Sequence, residues 1–261
     1  MKRIRGTGAR QAIDWNGNGV NDGTTEQRLQ GQECLVFFLG GKPQTGAVKT
    51  CLGFSTNALN PMDTNSPMNP TFYDFKSERL AFGNSPVFFH YLDAYGSTND
   101  TKSKPYLYFS SYKTANGYNR YGTSDCSFFD LTLGGTLSSG SPSVTVTPNT
   151  NGLAPYVSVT GSGVPAGTTI AAVNSTTQIT LSQNATSTGA QTLTFGVAPY
   201  GIGSNFLKPN KFQIISAGRN KIFGPTAAWA AATASDTYPP GSDGADDHAN
   251  FYNRTLGIPT P

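Results

Sequence analysis

The sequence predicts an α+β, β-dominant protein: an antiparallel sheet domain with a small β-sandwich inserted into it. Three observations carry the sheet-and-insertion part of that expectation. Glycine (30) and proline (17) are abundant among the 261 residues, which favours short strands and tight turns over long helices. Residues 105–112 alternate their side chains with a period of two, the pattern of a half-buried strand. Between residues 131 and 195 there is no Lys, Arg, Asp or Glu, and aromatics almost vanish, while both classes are frequent on either side. These composition steps divide the chain into residues 1–130 (first part of the main domain), 131–196 (the insertion) and 197–261 (the return).

Along the chain, residues 1–30 are polar and show no sustained period. Residues 33–41, Glu-Cys-Leu-Val-Phe-Phe-Leu-Gly-Gly, read as a buried strand or the last turn of a core helix. Pro61, Pro67 and Pro70 mark residues 53–70 as an irregular surface loop. Residues 71–95 carry Phe72, Tyr73, Phe75, Phe82, Phe88, Phe89, Tyr91 and Tyr95, and residues 105–112 alternate Tyr106 and Tyr108 against Leu107 and Phe109. These rings are expected to fill a core in a protein with few long aliphatic side chains; an aromatic groove for sugars is the alternative. In the insertion, strands are expected at 143–147, 156–160, 169–173, 178–182 and 191–195, separated by Gly, Pro and Asn. A further strand is expected at 209–216, a short helix at 226–234 behind Pro225, and an acidic turn at 241–248.

Charged residues are only 13% of the chain, about half of the roughly 25% of ordinary soluble domains. Ser, Thr, Asn and Gln must therefore build the polar surface, a composition common in exported fibres, adhesins and capsids. The net charge of +3 is small, and the basic cluster Lys2, Arg3, Arg5 and Arg10 stops there, so no nucleic-acid partner is expected. No stretch approaches the roughly 20 apolar residues of a membrane span. The three cysteines, Cys34, Cys51 and Cys126, lack zinc spacing; Cys34 could pair with Cys51 in an oxidising compartment, or all three could be buried thiols.

Catalytic constellations are sparse. His90 sits in an aromatic run, His248 adjoins Asp247 without a nucleophile elbow, and nothing in the spacing of Asp74, Glu78 and Asp93 selects glycoside hydrolysis. The chain is therefore expected not to be an enzyme. Calcium is the one cofactor the residues argue for, because it takes six to eight oxygens on a tightly turning backbone. Ser242, Asp243, Asp246 and Asp247 offer such oxygens in the tail, and Asp14, Asn16, Asn18, Gly19 and Asp22 match positions one, three, five, six and nine of an EF-hand-type loop. Thr25 stands at position twelve, where a bidentate Glu is wanted.

The run Phe212-Gln213-Ile214-Ile215-Ser216-Ala217-Gly218-Arg219-Asn220, then Phe223-Gly224, then Gly244-Ala245-Asp246-Asp247-His248-Ala249-Asn250-Phe251 resembles the C-terminal signature of the major pseudopilins of type II secretion. Residues 33–41, 53–57 and 104–112 resemble large pilin-like proteins of the planctomycete type within that group. The resemblance spans residues 10–130 and 197–261. It implies a sheet domain carried on an N-terminal helix, assembly into a helical pseudopilus, and a C-terminal loop rigidified by calcium. Residue by residue, Asp246 and Asp247 match the acidic turn and Ser216 the strand end; Asn220 stands where the family usually has Asp, and Lys221 where it has Gly. The family's apolar assembly helix has no counterpart in these residues, so membrane contact is expected only through such a helix.

The function expected is that of a structural subunit of an extracellular or periplasmic filament, self-assembling as a homo-oligomer or with other pilin-like subunits. An exported carbohydrate- or surface-binding adhesin module is the alternative.

Overall fold

A computed structural model describes residues 2–4, 27–44, 46–58, 60–82, 88–111, 123, 126, 129–150, 153–202, 205–224, 244–251 and 254–257. Antiparallel sheet dominates them, and a single α-helix is present among the described residues. That helix is not long and apolar enough to cross a membrane. Two compact units are formed, residues 1–108 and 109–261.

In the first unit, β1 (Lys2–Ile4) pairs antiparallel with β2 (Gln27–Leu29), and α1 (Gly31–Gly40) follows at once. The apolar run is a helix rather than a strand because both of its ends are built as helix ends. Glu33 Oε2 accepts the Gln30 N–H at 2.9 Å in a capping box. At the other end Gly41, at φ 78°, donates its N–H to the Phe37 carbonyl at 2.8 Å. Residues 31–37 and 40 are all buried, so the helix is a core element, not an amphipathic surface one.

Around α1 lie two short antiparallel pairs: β3 (Pro43–Gln44) with β4 (Thr50–Cys51), and β5 (Leu80–Phe82) with β6 (Phe89–Tyr91). The core is aromatic, as expected. Phe37 meets Phe38, Phe54 and Phe88 at centroid distances of 5.3, 5.3 and 5.6 Å, each edge-on. A second cluster joins Val36, Phe75, Leu80, Phe89 and Tyr91. The loop of residues 53–70 is not wholly on the surface, since Met62 is buried in the Phe37 cluster. No disulfide joins the cysteines. Cys34 donates to the Leu29 carbonyl at the helix start, whereas Cys51 abuts Gly40 at its end.

The second unit begins inside β7 (Leu107–Ser110) and holds β8 (Leu131–Leu137), β9 (Ser143–Thr147), β10 (Val159–Gly161), β11 (Ile170–Val173), β12 (Gln178–Leu181) and β13 (Gly189–Phe195). These last six form one antiparallel sheet in the order β10-β13-β8-β9-β12-β11. Its two outer strands also meet: Ser158 bridges Thr169, Val159 N–H donates to Thr168 O at 2.9 Å, and Ile170 N–H to Val157 O at 2.9 Å. Hydrogen bonding therefore runs continuously around the ring, joining into one closed sheet the two walls that a sandwich keeps apart. Inward positions alternate cleanly in β9, where Val144 and Val146 are buried between exposed Ser143, Thr145 and Thr147. The core, from Leu137 to Ala198, is aliphatic apart from Phe195. Leu193 fills a notch that only glycine leaves open: a Cβ on Gly135 would lie 2.3 Å from its Cδ1, and one on Gly161 would lie 2.7 Å from its Cδ2.

After the ring come β14 (Gly201–Ile202), β15 (Asn205–Phe206), β16 (Phe212–Ser216) and β17 (His248–Ala249). Gln213, fully buried, satisfies the backbone of the preceding segment: its Oε1 accepts the Tyr200 N–H at 2.7 Å, and its Nε2 donates to the Tyr200 and Leu207 carbonyls at 2.8 Å. Asn250, next after β17, bonds β16 itself, accepting the Ile214 N–H at 2.9 Å and donating to Phe212 O at 3.2 Å. The expected helix at 226–234 lies outside the described residues.

Candidate functional site

Strand β16 ends at Ser216, which pairs with His248 of β17. Just beyond it the backbone turns at Gly218 (φ 66°), where a Cβ would sit 2.3 Å from the Asp246 carbonyl oxygen. Glycine is required there both by the left-handed backbone and by that approach. Ser216 Oγ accepts the Gly218 N–H at 3.2 Å. The strand end and the acidic turn are thus held together at one corner of the second unit.

The two carboxylates reach from that turn to the 218–224 loop. Asp246 Oδ2 accepts the Asn220 N–H at 2.9 Å, and Asp247 Oδ2 accepts the Gly224 N–H at 3.0 Å. Asn220 in turn accepts the Ile222 N–H on its Oδ1 at 2.8 Å, closing an Asx turn. Lys221 follows at φ 63°, a left-handed conformation unfavourable for a residue with a Cβ. Asp247 is fully buried, and Asp246 Oδ1 is buried with no hydrogen-bond partner among the described residues. Adjacent carboxylates in such a setting repel unless hydrogen bonds or a cation offset them.

Of the sequence-predicted ligands, Ser216, Asn220, Asp246 and Asp247 are brought to this corner. Ser242 and Asp243 lie outside the described residues, as do Asp14, Asn16, Asn18 and Asp22. Among the described residues no group of three or more His, Cys, Asp and Glu side chains could hold a metal. A calcium ion here would have to draw on Asp246 Oδ1, amide, hydroxyl and backbone oxygens.

The titratable groups of the first unit serve its packing. His90 is buried in β6, and that burial, with the nearby Lys49 charge, lowers its pKa from 6.5 to about 4. Asp93, fully buried, accepts the Tyr95 N–H at 3.0 Å on its Oδ1, while Asp74 and Glu78 are exposed. Burial pushes the Cys51 thiol up to about 12, unsuited to a thiolate nucleophile. The partly buried Arg79 stacks its guanidinium 4.3 Å over the Tyr91 ring and donates from Nε to the Leu92 carbonyl at 3.0 Å.

Tyr106 and Tyr108 do not form a shared groove. Tyr106 stacks on Tyr91 at 6.3 Å in one cluster, and Tyr108 packs against the Phe37 cluster. Four rings of the 71–95 run are left open to solvent, Phe72, Tyr73, Phe82 and Tyr95, with Phe72 the most exposed at 81%. The sequence does not separate these four from the buried rings, because strands this short, and the irregular chain between them, carry too little period to assign a face. Compared with known proteins, the chain matches no family model, and no curated protein matches it.

Proposed function

We propose that the chain is a structural subunit of an extracellular or periplasmic filament of the pseudopilus type, a pilin-like sheet domain with residues 131–196 as an inserted β-module. It acts by assembling with copies of itself or related subunits and not by turning over a substrate. The observation that carries this reading is the corner where Asp246 and Asp247 tie the 218–224 loop to the end of β16. The carboxylates there are committed to shaping a loop. Calcium bound at this corner would offset the two adjacent charges and stiffen the loop against the sheet.

Chelation is expected to lower the melting temperature of the full chain, and Asp246→Ala combined with Asp247→Ala to abolish that response. An identical melting curve with and without chelator would remove the ion. Assembly is read by negative-stain microscopy and light scattering over a concentration series; a chain that never associates with itself or a related subunit would refute the subunit reading.

The adjacent exposed rings Phe72 and Tyr73, the former the most exposed aromatic among the described residues, favour a second reading, an adhesin module that holds a glycan or cell surface. Hits on a glycan array that are lost in Phe72→Ala and Tyr73→Ala would support it.

A further inference from the structure

Arg79, partly buried, is fixed in place by its neighbours. Its guanidinium lies 4.3 Å over the Tyr91 ring and 5.9 Å from the centre of the Tyr106 ring. Nε and Nη2 both donate to the Leu92 carbonyl, and Nη2 also reaches the Tyr106 hydroxyl at 3.5 Å. A guanidinium carries five N–H donors in a rigid fork, and those on Nη1 have no partner among the described residues. No carboxylate answers the charge: Glu78, next in the chain, and Asp74 are exposed and form no ion pair with it. A cation drawn partly out of water and held still, with donors to spare and no counter-charge, is ready to accept an anion. Beside it stands an open ring. Tyr73, 48% exposed, meets Tyr91 edge-on at 6.0 Å, so Tyr73 and the guanidinium are no more than 10.3 Å apart across Tyr91.

We propose that Arg79 and Tyr73 form a subsite for an acidic saccharide, with the carboxylate of one sugar on Arg79 Nη1 and a neighbouring sugar ring stacked on Tyr73. The inference rests on the adhesin reading and names the class of glycan. The unanswered guanidinium selects the carboxylate, whose two oxygens match its planar fork. The half-open tyrosine ring selects a partner with an apolar face and a polar rim, as a pyranose has. The span between the two groups lies within the length of a disaccharide. An acidic peptide is disfavoured, because an extended peptide needs a free strand edge and the strand that carries Tyr91 has none. It pairs with β5 on one side, and on the other the Tyr106 N–H donates to Tyr91 O and the Asp93 N–H to Lys104 O, both at 3.0 Å.

The test presents the full chain to a glycan array on which each carboxylated oligosaccharide, oligogalacturonate included, is paired with its methyl ester, the same sugar without the charge. The wild type is expected to bind the best acid about tenfold more tightly than its ester, a comparison that requires no variant to fold. Arg79→Gln should erase that preference with unchanged circular dichroism, and Arg79→Lys, which keeps the charge without the planar fork, should retain only part of it. Tyr73→Ala should weaken acid and ester alike. Equal binding of acid and ester, or hits among neutral glycans alone, overturns the proposal and leaves the adhesin reading standing. A folded Arg79→Gln that keeps the preference overturns it too. No hit of any kind removes both. Polyglutamate that binds as tightly as the acidic glycans would overturn the proposal in favour of an acidic protein partner.

Discussion

The closed β-module of residues 131–195 and the helix-centred unit of residues 27–108 bury apolar surface in opposite ways. The module uses aliphatic side chains at alternating strand positions, fills its centre with Leu193 against two glycines, and contains no acid or base among its core residues. The helix-centred unit has strands of only two to four residues, so alternation cannot sort its faces. It packs aromatic rings edge to face instead, and it buries Gln32, Glu33, His90 and Asp93 among them. Regular strands can exclude polar groups because the ladder satisfies the backbone; irregular chain cannot, and side chains such as Asp93 and Glu33 must satisfy it.

The sharpest way to break this contrast is to truncate one residue in each core. Phe37→Ala should cost about 3–5 kcal/mol, as for other buried rings, and hydrogen exchange should accelerate around α1 while β8 to β13 stay protected. Leu193→Ala should cost about 3 kcal/mol, within the usual range for a buried leucine, with the reverse pattern. Equal acceleration in both regions after either substitution would mean that the two cores are not separate.

Acid should divide the regions as well. The folded pKa of His90 lies below its ordinary value, so the folded state holds the ring neutral while the unfolded state takes up a proton below about pH 6.5. Its contribution is complete above that pH and is lost progressively as pH falls toward about 4. The loss amounts to about 3 kcal/mol over that window, from roughly 1.4 kcal/mol per tenfold change in proton affinity. Denaturant midpoints of the wild type should fall across it, and those of His90→Gln should stay flatter. The module has no group that titrates there, so its exchange protection should not change; a parallel loss in both regions would contradict the assignment to His90.

The smallest effect is expected at the acidic corner. Lys221 holds a left-handed backbone at φ 63°, and Lys221→Gly should raise stability by about 1 kcal/mol by relieving it. A destabilised variant would show that the lysine side chain contributes more than its backbone costs.

How far these features were legible from residues alone follows the same division. In the module, the strands at 143–147, 178–182 and 191–195 could be read from alternation, because β-branched residues at every second position leave one assignment of faces. The strand Leu131–Leu137 was less visible, since Gly134 and Gly135 interrupt its pattern; Gly135 is there to admit Leu193 from the facing strand, a tertiary reason. In the helix-centred unit, the apolar run at 33–41 had no period to separate helix from strand. Its capping box needed Gln30, three residues upstream of Glu33, to decide the matter. At the acidic corner, Asp246 and Asp247 were identifiable by type, yet their targets, the N–H groups of Asn220 and Gly224, lie more than twenty residues away.

By itself the sequence determined the dominance of antiparallel sheet, the charge-free segment and the aromatic character of the first unit, because composition and short-range alternation decide what can be buried. Tertiary structure alone decided that the module's sheet closes on itself, that Tyr106 and Tyr108 join different clusters, and that the carboxylates serve a distant loop. Each of those outcomes depends on residues far apart in the chain meeting at a few ångströms, and no local pattern encodes that distance.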